Sequence, residues 1–139
     1  MREMIDYGVL GFLLFLSVIV VTIALERIWF YATMRVSDYA DKRLLEIDLY
    51  KRLTLIATIG SNAPYVGLLG TVAGIMVTFS ELGSGADTQN IMVGLSLALK
   101  ATAAGLLVAI PSIVAYNLLI RKAEVILTHW DIAHKPLGE

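Results

Sequence analysis

Few residues in this chain could do chemistry, and most of them are hydroxyls set in apolar surroundings. Thr71, Thr78 and Glu81 are spaced seven and three apart, so at about 100° per residue the three share one helical face. Thr102 and Tyr116 are fourteen apart and nearly aligned. A threonine hydroxyl in a helix can bond its own carbonyl four residues back, or remain available to something beside the helix. Lys100 is the only charge between Ile91 and Ile120. An ionised lysine at mid-membrane costs at least about 2.5 to 3.5 kcal/mol. It therefore either snorkels to the outer surface or faces protein and is paired, and the paired reading is favoured. The two histidines, His129 and His134, lie five apart near the C-terminus, and there is no cysteine. Thiol nucleophiles, disulfides and Cys-type zinc sites are excluded. No catalytic, metal or cofactor constellation stands out, and an enzyme is not expected.

What must position these residues is a set of membrane helices. Of 139 residues, 58% are hydrophobic and 17% charged, against roughly 25% charged in a soluble domain. Nine charges fall between Arg35 and Arg52, six between Arg121 and the C-terminus and three in the first six residues. A net charge of −1 gives no footprint for nucleic acid. Tyr7 to Leu25 is an uncharged run of 19 residues, about 28 Å as a helix against a hydrocarbon core of roughly 30 Å. It exceeds a signal-peptide core, and Trp29, Phe30 and Tyr31 after it suit an interfacial belt. A retained anchor over residues 7–31 is expected.

A second span is expected over 63–82 and a third over 91–120, with a short loop at 83–90. Ser61 and Asn62 are capping types and Pro64 is tolerable in a first helical turn, so a break there is plausible. A helix running unbroken from the connector through Pro64 is equally open. The connector, 32–62, reads as a solvated helix with Ser37 as a candidate cap. Lysine and arginine concentrate in this connector and in the tail, 121–139. The positive-inside rule puts both in the cytoplasm and the N-terminus, 1–6, outside.

In lipid, helices associate by close packing, which small residues permit. Ala63, Gly67, Gly70 and Gly74 make one small-residue stripe in the second span. Gly94, Ala98, Ala101, Gly105 and Ser112 repeat it in the third, which also contains Ala109 and Pro111. The two spans are expected to form a tight hairpin, and the Leu-, Val- and Ile-rich first span to be peripheral. The fold class is all-α, a membrane protein with three transmembrane helices and a short cytoplasmic helical extension.

The phrases IGSNAPYVGLLGTVAGIM and LKATAAGLLVAIPSIVAYN resemble the last two membrane segments of the ExbB, TolQ and MotA proton-channel family, most closely its ExbB branch, over roughly Leu53 to Asn117. The resemblance implies a multi-pass subunit of the bacterial inner membrane that assembles as a homo-oligomeric ring, typically a pentamer. Such a ring surrounds an ExbD-like partner whose single span carries an aspartate, and uses proton-motive force to drive a TonB-like protein and outer-membrane transport. Lipid is the remaining neighbour. By position the family's pore threonines fall on Thr71 and Thr102, with Thr78 and Tyr116 as further candidates for the proton path. The glutamate common in the third span is replaced here by Leu97. Lys100 is expected to supply the polar contact at that level, pairing with Glu81 or with the partner's aspartate. Two rivals stand beside this reading: a TolQ-like subunit of the envelope-constricting Tol system, and a non-conducting scaffold with the same packed hairpin.

Overall fold

The computed structural model describes residues 2–134 and consists, among these, of helices: α1 (Arg2–Thr33), a single 3₁₀ turn (Val36–Asp38), α2 (Lys42–Tyr50), α3 (Leu53–Gly83) and α4 (Thr88–His134). Three are long and apolar enough to cross a membrane. At about 1.5 Å per residue α3 reaches roughly 46 Å and α4 roughly 70 Å, so both project well beyond a hydrocarbon core of roughly 30 Å.

The helix boundaries differ from the sequence expectation in four places. The break considered at Pro64 is absent, and α3 runs through this proline to Leu53. Ser61 and Asn62 are not caps. Both side chains instead donate to the Thr58 carbonyl, at 3.2 and 2.7 Å. The connector is not one helix over 32–62, because the chain breaks at Lys51–Arg52, where Arg52 takes the left-handed conformation (φ 68°). The cap of α2 is Asp41, whose carboxylate accepts from the Arg43 amide at 2.9 Å, while Ser37 lies in the 3₁₀ turn. The loop shrinks from 83–90 to 84–87. Asp87 caps α4 by accepting from the Asn90 amide at 2.8 Å, and Gly85 supplies the left-handed residue (φ 93°) that reverses the chain. Nor does α4 stop at Ile120. Ala123, Ile126 and Leu127 extend its buried face beyond Leu119, so what reads as a tail is helical to His134. Residues 135–139 lie outside the described part.

α3 and α4 form the expected antiparallel hairpin, and the small residues of both meet face to face. A methyl group at Gly67 would stand 2.5 Å from the Ala101 carbonyl oxygen, and one at Gly105 would stand 2.7 Å from that of Ala63. Gly74 is pressed against the Ala98 methyl and Gly70 against that of Ala101. The backbones touch because nothing projects between them. α1 lies along one side of this hairpin and buries Leu13, Val20, Ile23, Arg27 and Tyr31, a helical stripe whose other faces are exposed. Its Val9 closes over Gly70. Pro111 belongs to this α1-facing side of α4, beside Val20 and Ala24, rather than to the seam with α3.

The largest core sits at the end of the molecule where all four helices meet. There Leu45 and Leu49 of α2, Leu53 and Ile56 of α3, and Ala123 of α4 are almost completely buried. That end carries Arg27 and Arg52 and is called here the basic end, opposite the α3–α4 turn.

Because the neighbours of Gly67 and Gly105 are backbone atoms that cannot step aside, Gly67→Ala and Gly105→Ala should each destabilise the chain by about 1 to 3 kcal/mol. Gly11→Ala, which meets nothing within 4 Å, should be neutral or stabilising by up to about 1 kcal/mol. Thermal unfolding of the three variants in detergent separates these outcomes.

Candidate functional site

Midway along the hairpin seam, the hydroxyls of Thr71 and Thr102 are in direct hydrogen-bonding contact. Thr71 is buried, and its hydroxyl also stands 2.8 Å from the Ala98 carbonyl on α4 and 3.3 Å from its own Gly67 carbonyl. A hydroxyl has one proton to give. With that of Thr71 committed to the nearer carbonyl, Thr102 is the donor to Thr71. The result is a short chain, Thr102 to Thr71 to the backbone of α4, tying the two helices where Gly67 and Gly105 bring them closest.

Thr102 is only partly covered, and the helix geometry says which way it opens. Val108 lies on the α1 side of α4. Six residues correspond to about 600°, which places Thr102 about 120° around the helix from Val108. The hydroxyl pair therefore stands at the mouth of the hairpin's other groove, the one α1 does not cover. Leu68 and Leu106, 50% and 44% exposed, flank it there. The arrangement offers one polar step in an apolar wall.

The remaining candidates separate. Thr78 is completely buried between the helices and donates to its own Gly74 carbonyl at 2.9 Å, so it has no surface to give a pore and the local, helix-satisfying role holds for it. Tyr116 is half-buried against the core of the basic end, about 21 Å along α4 from Thr102. Glu81 sits at the α3–α4 turn beside Ser84, Ala86 and Asn90. Lys100 is exposed and stands level with about Val72, since Gly74 faces Ala98 and Gly70 faces Ala101. Nine residues of α3, roughly 14 Å, separate that level from Glu81. The expected Lys100–Glu81 pair is therefore not made within the chain. Lys100 is also two residues before Thr102, about 160° around α4 after subtracting whole turns, and so projects away from the hydroxyl groove. Leu97, where the resemblance places a glutamate, lies toward the turn with Met92 and Ser96.

Comparison with known proteins bears on this groove. Residues 24–132 match the MotA/TolQ/ExbB proton channel family. The chain belongs to that family. A putative biopolymer transport protein ExbB-like 2 of Helicobacter pylori is 68% identical over 139 residues, covering 99% of this chain and 93% of that protein. The biopolymer transport protein ExbB of Aquifex aeolicus is 50% identical over 96% of this chain and 91% of its own length. The Tol-Pal system protein TolQ of Haemophilus influenzae is 43% identical over 68% of this chain and 42% of that protein.

The part of this proton-channel-family chain that matches begins just before a polar knot that the sequence reading missed. Arg27 of α1 is 2% exposed and holds both oxygens of Glu26 at 2.6 Å. It also donates to the Asp48 carbonyl at 2.5 Å, while the Tyr31 hydroxyl donates to the Leu49 carbonyl at the same distance. These carbonyls belong to the last turn of α2, which has no partners of its own. α1 thus caps α2, with a cation at the negative end of the helix dipole. Arg52, in its left-handed conformation, reaches Glu26 at 3.2 Å. Such a conformation costs a non-glycine residue about 1 to 3 kcal/mol and persists where its surroundings fix it. Further out, Tyr39 donates to Asp48 at 2.6 Å, Trp130 donates to the Tyr39 carbonyl at 2.9 Å, and Lys42 pairs with Asp131 at 2.9 Å. The signal was present in Glu26-Arg27, charges closing an apolar run, but nothing local says what they bind.

Replacing Arg27 with glutamine should cost about 1 to 3 kcal/mol, because the part-buried Asp48 carbonyl loses its charged donor, and should free the α2–α3 turn. Trypsin, which cuts after lysine and arginine, should then cleave at Lys51–Arg52 far faster than in the parent. A second expectation concerns alkaline pH. The Asp48 carboxylate beside Tyr39 pushes its phenol up from 10.0 to about 12. Because the folded value is the higher one, the contribution of this bond is complete below pH 10 and is lost as pH rises toward about 12. The Tyr39→Phe variant should lack this component of the alkaline loss of helicity seen by circular dichroism.

Proposed function

We propose that this chain is the ring-forming, proton-channel subunit of an ExbB–ExbD–TonB type complex in the bacterial inner membrane, using proton-motive force to power TonB-dependent transport across the outer membrane. The observation that carries the reading is the bonded Thr71–Thr102 pair at the mouth of the groove left open by α1. Several copies, five in the arrangement the family resemblance implies, would turn these grooves inward around the single spans of an ExbD-like partner. The basic end, with its lysines and arginines, faces the cytoplasm, and the N-terminus faces the periplasm.

Hydroxyls do not titrate near neutral pH, so the group that carries the proton comes from the partner, as a membrane aspartate. Thr102 and Thr71 give that carboxyl a hydrogen-bonding station in a wall otherwise made of Leu68, Ile75 and Leu106. One charge crossing 100 mV releases about 2.3 kcal/mol, enough to bias the position of a loosely held shaft. Lys100, on the back of α4, acts on packing against a neighbouring copy rather than on proton passage.

A TolQ-like role is the second reading, and the extent of this chain that is matched favours it less. The match to TolQ is 43% identical over 68% of this chain, whereas those to proteins named ExbB or ExbB-like reach 50% over 96% and 68% over 99% of it. Co-purification with ExbD- and TonB-type partners, rather than with TolR and TolA, is the expected outcome. In liposomes holding the chain and its ExbD-type partner, the Thr71→Val, Thr102→Val double variant should lower proton flux at least about tenfold, a barrier change of about 1.4 kcal/mol. Undiminished flux in an intact complex would sink the assignment of these hydroxyls. The absence of flux from the parent complex would favour a scaffold.

A further inference from the structure

Between α1 and α4 at the basic end lies an open trough of about 620 Å³, a volume typical of small-ligand sites. Three alanines, Ala24 and Ala32 of α1 and Ala115 of α4, leave the space, and Ile28 and Leu118 wall it. Tyr31 adds its ring but no polar group, because its hydroxyl is turned onto the Leu49 carbonyl. Lys122 stands at the rim and is exposed. Among the described residues, no carboxylate lies within ion-pair distance of its ammonium.

Nor do its surroundings neutralise it. Arg121 is met by Glu124 at 3.9 Å, and the carboxylates of the knot are engaged elsewhere: Glu26 by two guanidiniums, Asp48 by Tyr39 and Asp131 by Lys42. The trough thus combines an apolar bed with a single unmatched cation. That is the chemistry of an alkyl chain ending in an anion. Its depth agrees: the uncharged run of α1 ends at Leu25, and Trp29, 68% exposed, stands where interfacial aromatics anchor a helix.

We infer that this trough binds one acyl chain of an anionic phospholipid, with Lys122 balancing the net negative charge of its head group. Basic pockets between membrane helices on the cytoplasmic side recognise lipid head groups by this combination. The choice of the cytoplasmic leaflet rests on the topology proposed above. A second copy of the chain is a poorer occupant, because it would need to bring both a large apolar side chain and a carboxylate to the same rim.

The test is native mass spectrometry of the purified chain in mild detergent, titrated with phosphatidylglycerol or with phosphatidylcholine. The parent should retain phosphatidylglycerol about fivefold better, the effect of one lysine near an anionic head group. Lys122→Ala should abolish that preference and Lys122→Arg should keep it. Ala115→Leu, which fills the trough, should lower retention of both lipids. Equal retention of the two lipids by the parent, or a preference that survives in Lys122→Ala, would overturn the proposal. So would an efficient disulfide between copies carrying cysteine at positions 32 and 118, since it would put protein in the trough. Because the measurement needs no partner, loss of proton flux with lipid retention intact counts against the preceding section alone.

Discussion

Everything else in this molecule depends on two backbones touching. At Gly67 and Gly105 a single methyl group would collide with a carbonyl oxygen of the facing helix, so α3 and α4 approach as closely as helices can. In lipid there is no hydrophobic gain to drive such contact, and dispersion between closely fitted surfaces must supply it. The approach also sets the reach of a short side chain. Thr71 can find the Ala98 carbonyl and the Thr102 hydroxyl only because the glycine four residues below it removes the bulk that would hold the helices apart. The packing residues and the polar pair are one feature seen at two levels.

This explains what the sequence made legible. Small residues repeating every three or four positions in two apolar runs joined by a short loop point to a packed hairpin, because in lipid close backbone approach depends on them. Polar groups on the same faces must then lie at or beside the contact, as Thr71, Thr78 and Thr102 do. Periodicity could not tell which of them reaches a groove. Thr71 and Thr78 share a face within about 20°, yet one bridges to α4 and the other is sealed behind Gly74. The difference depends on where the partner helix offers a carbonyl or a hydroxyl, and that is fixed by the register between helices rather than by either helix alone. The Lys100–Glu81 pair failed for the same reason. Its axial level could be worked out only once Gly74 was known to face Ala98.

The basic end was the least legible part. Tyr31 reads as an interfacial aromatic at the end of a span, yet with Arg27 it closes the carbonyl end of a helix that begins fifteen residues after Arg27. Local pattern carries no trace of such a bond, because a main-chain carbonyl has no sequence signature. The same blindness moved the helix break. Pro64 is the visible breaker, yet a proline removes one donor and can be absorbed in a long packed helix. The real break at Arg52 is made by tertiary contacts that hold α2 against α1 while α3 departs. Here packing and side-chain capping override the propensity signals.

The chemistry of the open groove has a final consequence for how the chain can work. Among the described residues, none able to gain or lose a proton near neutral pH stands beside the two threonines: Leu97 occupies the position where the family resemblance places a glutamate, Lys100 points the other way and Glu81 is at the turn. The hydroxyl of Thr71 is also engaged by a backbone carbonyl, so the pair is a fixed hydrogen-bonding station rather than a mobile relay. A station of this kind stabilises a visiting polar group by roughly one hydrogen bond's worth of free energy, about 1 kcal/mol net, which is shallow enough to leave as easily as it is entered. Several such shallow stations around an apolar bore would hold a neutral carboxyl briefly at each one. A charged carboxylate would find no cation in the groove to hold it. In the complex proposed above, the group that changes its protonation would therefore come from outside this chain, with the visitor and the water at the two ends of the groove.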